Sequence, residues 1–242
     1  MSVIPEDIAT RNPAPPSKRL LLAELRALAE WPRAVVWLPT RHLPRGDGHP
    51  VMVLPGFGAS DRATAPLRRA LRRLDYRVEG WGQGRNLGMR REIGQALSAR
   101  IEALHDAHGA VSLIGWSLGG VFARELARSQ PQRIRRVITL GSPISHHPKA
   151  NNMERLFQLA NPRHNGEVDW DAFTRRETAP PVACTAIYTE SDGVVAARCC
   201  RELPAPHTEN VRVRGSHMGL PANPAVLEVI ATRLMQPPRA PE

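Results

Sequence analysis

The sequence predicts an α/β fold: a mostly parallel central sheet flanked by helices on both faces, preceded by an N-terminal helical extension. Three observations carry this. Short apolar runs alternate with helical patterns from residue 51 onward, the alternation that builds a parallel sheet covered on both faces. One run, Val111-Ser112-Leu113-Ile114, passes directly into Gly115-Trp116-Ser117-Leu118-Gly119 and then into an amphipathic stretch holding Val121, Phe122, Leu126 and Ala127; this reads as strand, sharp turn and helix. Finally, 242 residues are enough for one domain of this class with a large core.

Taken in order, residues 1–16 form a polar, proline-rich arm. Ser17 caps a helix over 18–30, in which Leu21, Leu25, Leu28 and Ala29 recur at helical spacing and which Pro32 stops. A second apolar run over 34–38 carries Trp37. Together these runs either pack on the body of the domain or touch a membrane surface. Residues 41–50 are a turn-rich linker, so the boundary between the extension (1–46) and the main domain (47–242) falls here.

The first strand is expected over 51–54, followed by the turn Pro55-Gly56-Phe57-Gly58 and a helix over 61–74. A strand over 77–79 leads into Trp81-Gly82-Gln83-Gly84-Arg85-Asn86-Leu87-Gly88. These glycines lack the third position of a dinucleotide-binding fingerprint, so the run is read as a tight loop at a pocket mouth and not as a cofactor site. A helix over 90–107 precedes the central strand and turn. A strand over 136–140 ends at Gly141-Ser142-Pro143. Residues 144–181 are polar and irregular, a cap- or lid-like insertion with 151–160 helical. Strands over 182–188 and 211–213 and a helix over 224–234 complete the pattern.

Composition narrows the function classes. No run of about 18 uninterrupted apolar residues exists to cross a membrane. No apolar secretory core follows a charged start, and Cys184, Cys199 and Cys200 offer neither a zinc spacing nor a disulfide framework, so a cytoplasmic setting is expected. The net charge of +10 comes almost wholly from arginine, since Lys18 and Lys149 are the two lysines. Arg68, Arg69, Arg72 and Arg73 share one helical face opposite Leu67, Leu71 and Leu74. That face is either solvated or binds phosphate or lipid headgroups, and it lacks the interleaved aromatics of a base-stacking surface, so no nucleic-acid partner is expected.

The chemistry centres on Ser117. At the apex of a turn this tight the serine is forced into a strained backbone conformation that lifts its hydroxyl above the carboxyl end of the strand, while Gly115 and Gly119 leave room for the chain. A serine hydroxyl needs a base, and the base needs an orienting acid. Both must come from the carboxyl ends of later strands. Asp192 follows the strand over 182–188 and His217 follows that over 211–213, giving the chain order Ser, Asp, His. Glu190 is the alternative acid. His146, His147, His164 and His207 are worse placed. The two backbone donors of an oxyanion hole are assigned to Leu118 and Phe57. Phe57, Trp81 and Trp116 either shape an apolar acyl pocket or belong to the core.

The elements L-P-G-F-G, G-W-S-L-G-G, V-I-T-L-G-S-P, I-Y-T-E-S-D-G-V-V and N-V-R-V-R-G-S-H-M-G-L resemble, in order and over residues 51–220, the α/β-hydrolase superfamily of the small lipase/esterase type. The resemblance implies attack by Ser117 on an ester carbonyl of a small molecule or lipid, proton transfer to His217, an acyl-enzyme, and its hydrolysis by water, with no cofactor and no metal. Acyl transfer or thioester hydrolysis with the same three residues, and a non-catalytic binding protein on this fold, are the alternatives. Pro55 stands where lipases often carry histidine, and Trp116 where histidine or tyrosine is usual.

Overall fold

The computed structural model describes residues 14–37, 40–145, 150–161 and 175–237. Most of the N-terminal arm, His146, His147, His164 and much of the 144–181 insertion lie outside the described residues.

Six strands form one sheet, all parallel: β1 (Pro50–Leu54), β2 (Arg77–Gly80), β3 (Val111–Trp116), β4 (Ile134–Leu140), β5 (Ala183–Tyr188) and β6 (Thr208–Arg212), in the spatial order β2-β1-β3-β4-β5-β6. The central strands are apolar along their length because both faces are covered. Alternate residues of β1 divide between two cores: Val51 and Val53 pack with α3 (Ala65–Arg73) and α7 (Pro224–Leu234), and Met52 and Leu54 pack with α4 (Arg91–His108) and α5 (Leu118–Ser129). That is the period-two side-chain alternation of a strand buried on both sides. Strand order reverses between β1 and β3, where the chain leaves one edge of the sheet for the other. The crevice outside the carboxyl ends of such a pair is where open α/β sheets bind ligands. Phe57 follows β1 there, and Ser117 follows β3.

The extension departs from expectation at Pro32. Ser17 does cap α1 (Lys18–Ala23), accepting from the Leu20 amide at 3.4 Å. The chain then tightens into a 3₁₀ turn, Glu24–Arg26, and resumes as α2 (Ala27–Trp37) with Pro32 inside the helix. Proline fixes a helical φ and removes one intrahelical hydrogen bond; at this exposed position the helix accommodates that loss instead of ending. The last strand begins and ends earlier than its apolar run suggested, because β6 is a partly exposed edge strand whose residues follow no strong hydrophobic pattern. A turn at Asp61–Thr64 opens the helix expected over 61–74, and α6 (Glu154–Ala160) is shorter than the 151–160 segment. On α3, Leu67, Leu71 and Leu74 are buried as expected. Arg68 and Arg72 spend their guanidinium groups on the carbonyls of Asp61 and Val78, while Arg69 and Arg73 point to solvent.

Candidate active site

Ser117 sits between β3 and α5 with φ 52° and ψ −123°, a left-handed region that a non-glycine residue enters only under strain. The turn leaves no room for side chains around it. A Cβ on Gly119 would lie 2.5 Å from the Leu54 carbonyl oxygen, and one on Gly115 would fall onto the Gly120 backbone. The serine amide is anchored by donating to Leu140 O at 2.8 Å. Ser117 is half-buried, at the positive end of α5.

Two main-chain N–H groups of the adjoining turns have no acceptor among the described residues: that of Leu118, in the first turn of α5, and that of Phe57. The Phe57 turn is braced by Asn86. That residue is fully buried; its Nδ2 donates to Pro55 O at 2.7 Å, its carbonyl accepts from Gly58 N at 2.7 Å, and its amide donates to Ala59 O at 2.7 Å. Sequence reasoning read 81–88 as a pocket-mouth loop and missed this asparagine. Its signal is a polar side chain in a glycine-rich run with three backbone groups to satisfy.

His217 and Asp192 are 1% and 2% exposed and meet at 2.7 Å between Nδ1 and Oδ2. The other carboxylate oxygen of Asp192 accepts from the amides of Val194 and Val195 at 2.8 Å each, which fixes the side chain. Glu190 is turned away: its side chain is 53% exposed and pairs with Arg201. Burial alone would lower the His217 imidazole below its ordinary value of 6.5. The charge and hydrogen bond of Asp192, with the charge of Glu24, outweigh burial and raise it.

The end of β4 joins the serine to this pair. Gly141 follows the carbonyl that holds the serine amide, and its own amide donates to Ile187 O at 2.9 Å. It has φ 57°, and a Cβ there would stand 2.9 Å from His217 Nδ1 and 3.2 Å from Asp192 Oδ2, so any side chain would push the pair aside. Trp116, next to the serine, packs its ring 6.0 Å from the imidazole. Among the described residues no hydrogen bond is formed to Ser117 Oγ.

Of the pocket candidates, Trp81 and Trp116 are buried core residues. Trp81 Nε1 donates to Gly84 O at 2.9 Å and Trp116 Nε1 to His217 O at 3.1 Å. Phe57 is half-buried and meets Phe157 of α6 edge to face, ring centroids 5.6 Å apart. The three cysteines are free and buried, with their thiols pushed up by burial.

A second serine–histidine–carboxylate chain lies at the opposite end of the sheet. Ser112 Oγ is 2.8 Å from His49 Nε2, and His49 Nδ1 bonds Asp47. Sequence reasoning did not anticipate it. Ser112 is wholly buried near the start of β3, where the register with β4 shifts between Val111 and Ser112; its φ is not positive, and no helix begins at it. Here burial wins: it holds His49 below its ordinary value with help from Arg135 and Arg136, against the bond to Asp47. A groove of about 600 Å³ between Arg136, Thr185, His207 and Arg233 also opens at the amino ends of the strands, away from Ser117.

Residues 51–217 match the model of a family described as alpha/beta hydrolase fold. A curated relative, the pimeloyl-[acyl-carrier protein] methyl ester esterase of Shewanella sp., is 33% identical over 99 residues, which are 40% of this chain and 36% of that protein. A polyketide synthase of Burkholderia thailandensis is 28% identical over 208 residues, covering 74% of this chain and 10% of the synthase. The chain thus spans well under half the length of either relative. The fold is shared with the monoacylglycerol lipase of Paleococcus ferrophilus, at 15% identity and a TM-score of 0.56, with 80% of this chain and 96% of the lipase covered. Among the described residues no helix is long and apolar enough to cross a membrane.

Proposed function

Because the chain belongs to the alpha/beta hydrolase fold family, we propose that it is a serine hydrolase that cleaves carboxylic esters through an acyl-enzyme on Ser117. One observation carries the reading: a strained serine at a helix N-terminus, beside two unengaged main-chain N–H groups and a buried histidine bonded to a buried aspartate.

In this reading Ser117 Oγ attacks the ester carbonyl while His217 Nε2 takes its proton. Asp192 keeps the other imidazole proton on Nδ1, so that Nε2 carries the lone pair, and stabilises the imidazolium that forms. The N–H groups of Phe57 and Leu118 receive the oxyanion. His217 then returns the proton to the leaving alcohol, and water, deprotonated by the same imidazole, releases the acid. The Shewanella relative, named for a methyl ester, supports an ester as the scissile bond. Helix α6, from the insertion, acts as a cap, laying Phe157 on Phe57.

A fluorophosphonate probe tests the nucleophile, and a panel of p-nitrophenyl esters from acetyl to palmitoyl, set beside acyl thioesters, tests the substrate. Labelling confined to Ser117 and turnover of esters are expected. No label, or label retained by Ser117→Ala, would overturn the assignment, and exclusive turnover of thioesters would move it to a thioesterase.

A further inference from the structure

A buried carboxylate in the N-terminal extension has no place in the chemistry above. Glu24, in the 3₁₀ turn between α1 and α2, is 8% exposed. A carboxylate taken out of water is costly unless its oxygens are satisfied. Here they take three main-chain N–H groups: Gly193 at 2.8 Å and His217 at 3.0 Å on Oε1, and Met218 at 2.9 Å on Oε2. No ion pair reaches it among the described residues. Two positions on, Arg26 Nη2 donates to Ser191 O at 2.8 Å and to Gly215 O at 2.9 Å. The five contacts fall on both sides of Asp192, at 191 and 193, and around His217, at 215, 217 and 218. One turn of three residues therefore grips both loops, and α2 adds to the grip: Glu30 accepts from Ser216 Oγ, and Trp31 Nε1 donates to Met218 O at 3.0 Å.

We propose that Glu24, seconded by Arg26, is a positioning residue of the active site: the turn fixes the separation of the acid loop from the base loop, so that the Asp192–His217 bond is formed before substrate arrives. This rests on the serine-hydrolase reading. Geometry is the reason. The two loops leave different strands, β5 and β6; they meet directly at their bases, where Gly215 O accepts from Thr189 Oγ1 and Ser191 Oγ at 3.0 Å each, while Glu24 ties their tips, joining Gly193 to His217 and Met218. A misplacement of about 1 Å in such a pair costs on the order of 100-fold in rate. The groups facing His217 are Asp192 and Glu24 in charge; Glu30 bonds the neighbouring Ser216, and Arg26 bonds Gly215 and Ser191 and pairs with Glu30.

Glu24→Gln tests this. The amide keeps the shape but sets an NH₂ against one of the three main-chain N–H groups and removes the charge. With wild-type protein labelled by a fluorophosphonate at Ser117, the variant is expected to label at least tenfold more slowly and to lose kcat on a short p-nitrophenyl ester by the same factor. KM should stay within twofold, and the acid limb of kcat/KM should move to lower pH. Arg26→Gln, at a side chain 36% exposed and so tolerated by the fold, is expected to lose less in the same sense. Leu25→Ala, between them and exposed, is the neutral control. Rates are referred to the folded fraction measured by circular dichroism. A labelled wild type with both variants equally fast and the acid limb unmoved would overturn the inference alone. A wild type that takes no label would overturn the reading of Ser117 and the inference with it.

Discussion

Trp116 Nε1 donates to the main-chain carbonyl of His217 at 3.1 Å, so the residue that precedes the serine holds the loop that carries the histidine. The strand that aims the hydroxyl and the loop that presents the imidazole are thereby one mechanical unit. The sequence analysis left Trp116 between an acyl pocket and the core; its buried ring and its engaged N–H place it in the core, as a brace. Trp116→Phe keeps most of the ring and removes the donor. A net hydrogen bond is worth about 1 kcal/mol, so kcat is expected to fall about fivefold. An unchanged kcat, read by steady-state kinetics, would detach Trp116 from the site.

Asp192→Asn is expected to lower kcat by about four orders of magnitude, because an amide facing Nδ1 favours the wrong tautomer and gives the imidazolium no countercharge. Glu190→Gln should leave kcat within twofold, since Glu190 faces Arg201 at the surface. Parallel measurements on the two variants decide between the two acids, and a larger loss at Glu190 would reverse the assignment.

The rate should depend on pH through His217. The base works only when neutral, and its pKa is raised above 6.5, so kcat/KM is expected to rise with pH to a plateau with a midpoint above 6.5. Folding stability runs the other way. A raised folded pKa contributes stability that is fully present below 6.5 and is lost as pH climbs through the raised value. A rate profile with its midpoint at or below 6.5 would contradict this balance of charges.

Asn86→Ala removes the amide that holds Pro55 and leaves that carbonyl unpaired. A loss of about 1–3 kcal/mol in unfolding free energy is expected, read by urea titration. Labelling at Ser117 should slow as well, because the Phe57 N–H is set by the same turn. A destabilised variant that labels at the wild-type rate would show that the Phe57 turn holds without Asn86.

Arg124 is wholly buried on α5. It pairs with buried Glu202 at 2.9 Å and donates to Arg176 O at 2.7 Å and Thr178 O at 3.1 Å, pinning the returning end of the insertion to the core. Arg124→Met strands a buried carboxylate, and a loss of about 3–5 kcal/mol is expected; Arg124→Met with Glu202→Leu should recover most of it. Equal melting of the single and double variants would show that the pair does not act as a pair.

What was legible in the sequence is what the backbone itself demands. The turn at Ser117 needs glycine two residues to either side, and the strands are apolar because both faces are covered; both leave local marks. Asp192 and His217 were legible through their place after strands. The roles of Glu24, Asn86 and Gly141 were not, because Glu24 and Asn86 bond main-chain groups of distant segments and Gly141 makes room for side chains from distant segments, and no residue pattern near any of them records such a partner. Pro32 misled because a rule about helix interiors gives way where the missing bond is exposed to water.

The sheet carries serine, histidine and carboxylate at both of its ends, and the better hydrogen-bonded set is the one at Ser112. Reactivity thus does not follow from having the ingredients aligned. The Ser112 hydroxyl is buried and already bonded to His49, whereas the Ser117 hydroxyl, bonded to nothing among the described residues, is the one the proposed reading leaves free to meet a carbonyl carbon. The buried pair at residues 49 and 112 should therefore be interchangeable with a well-fitted oily pair, with the exposed Asp47 kept as the partner of Arg135, which makes that end of the molecule the place to engineer sturdiness without touching turnover.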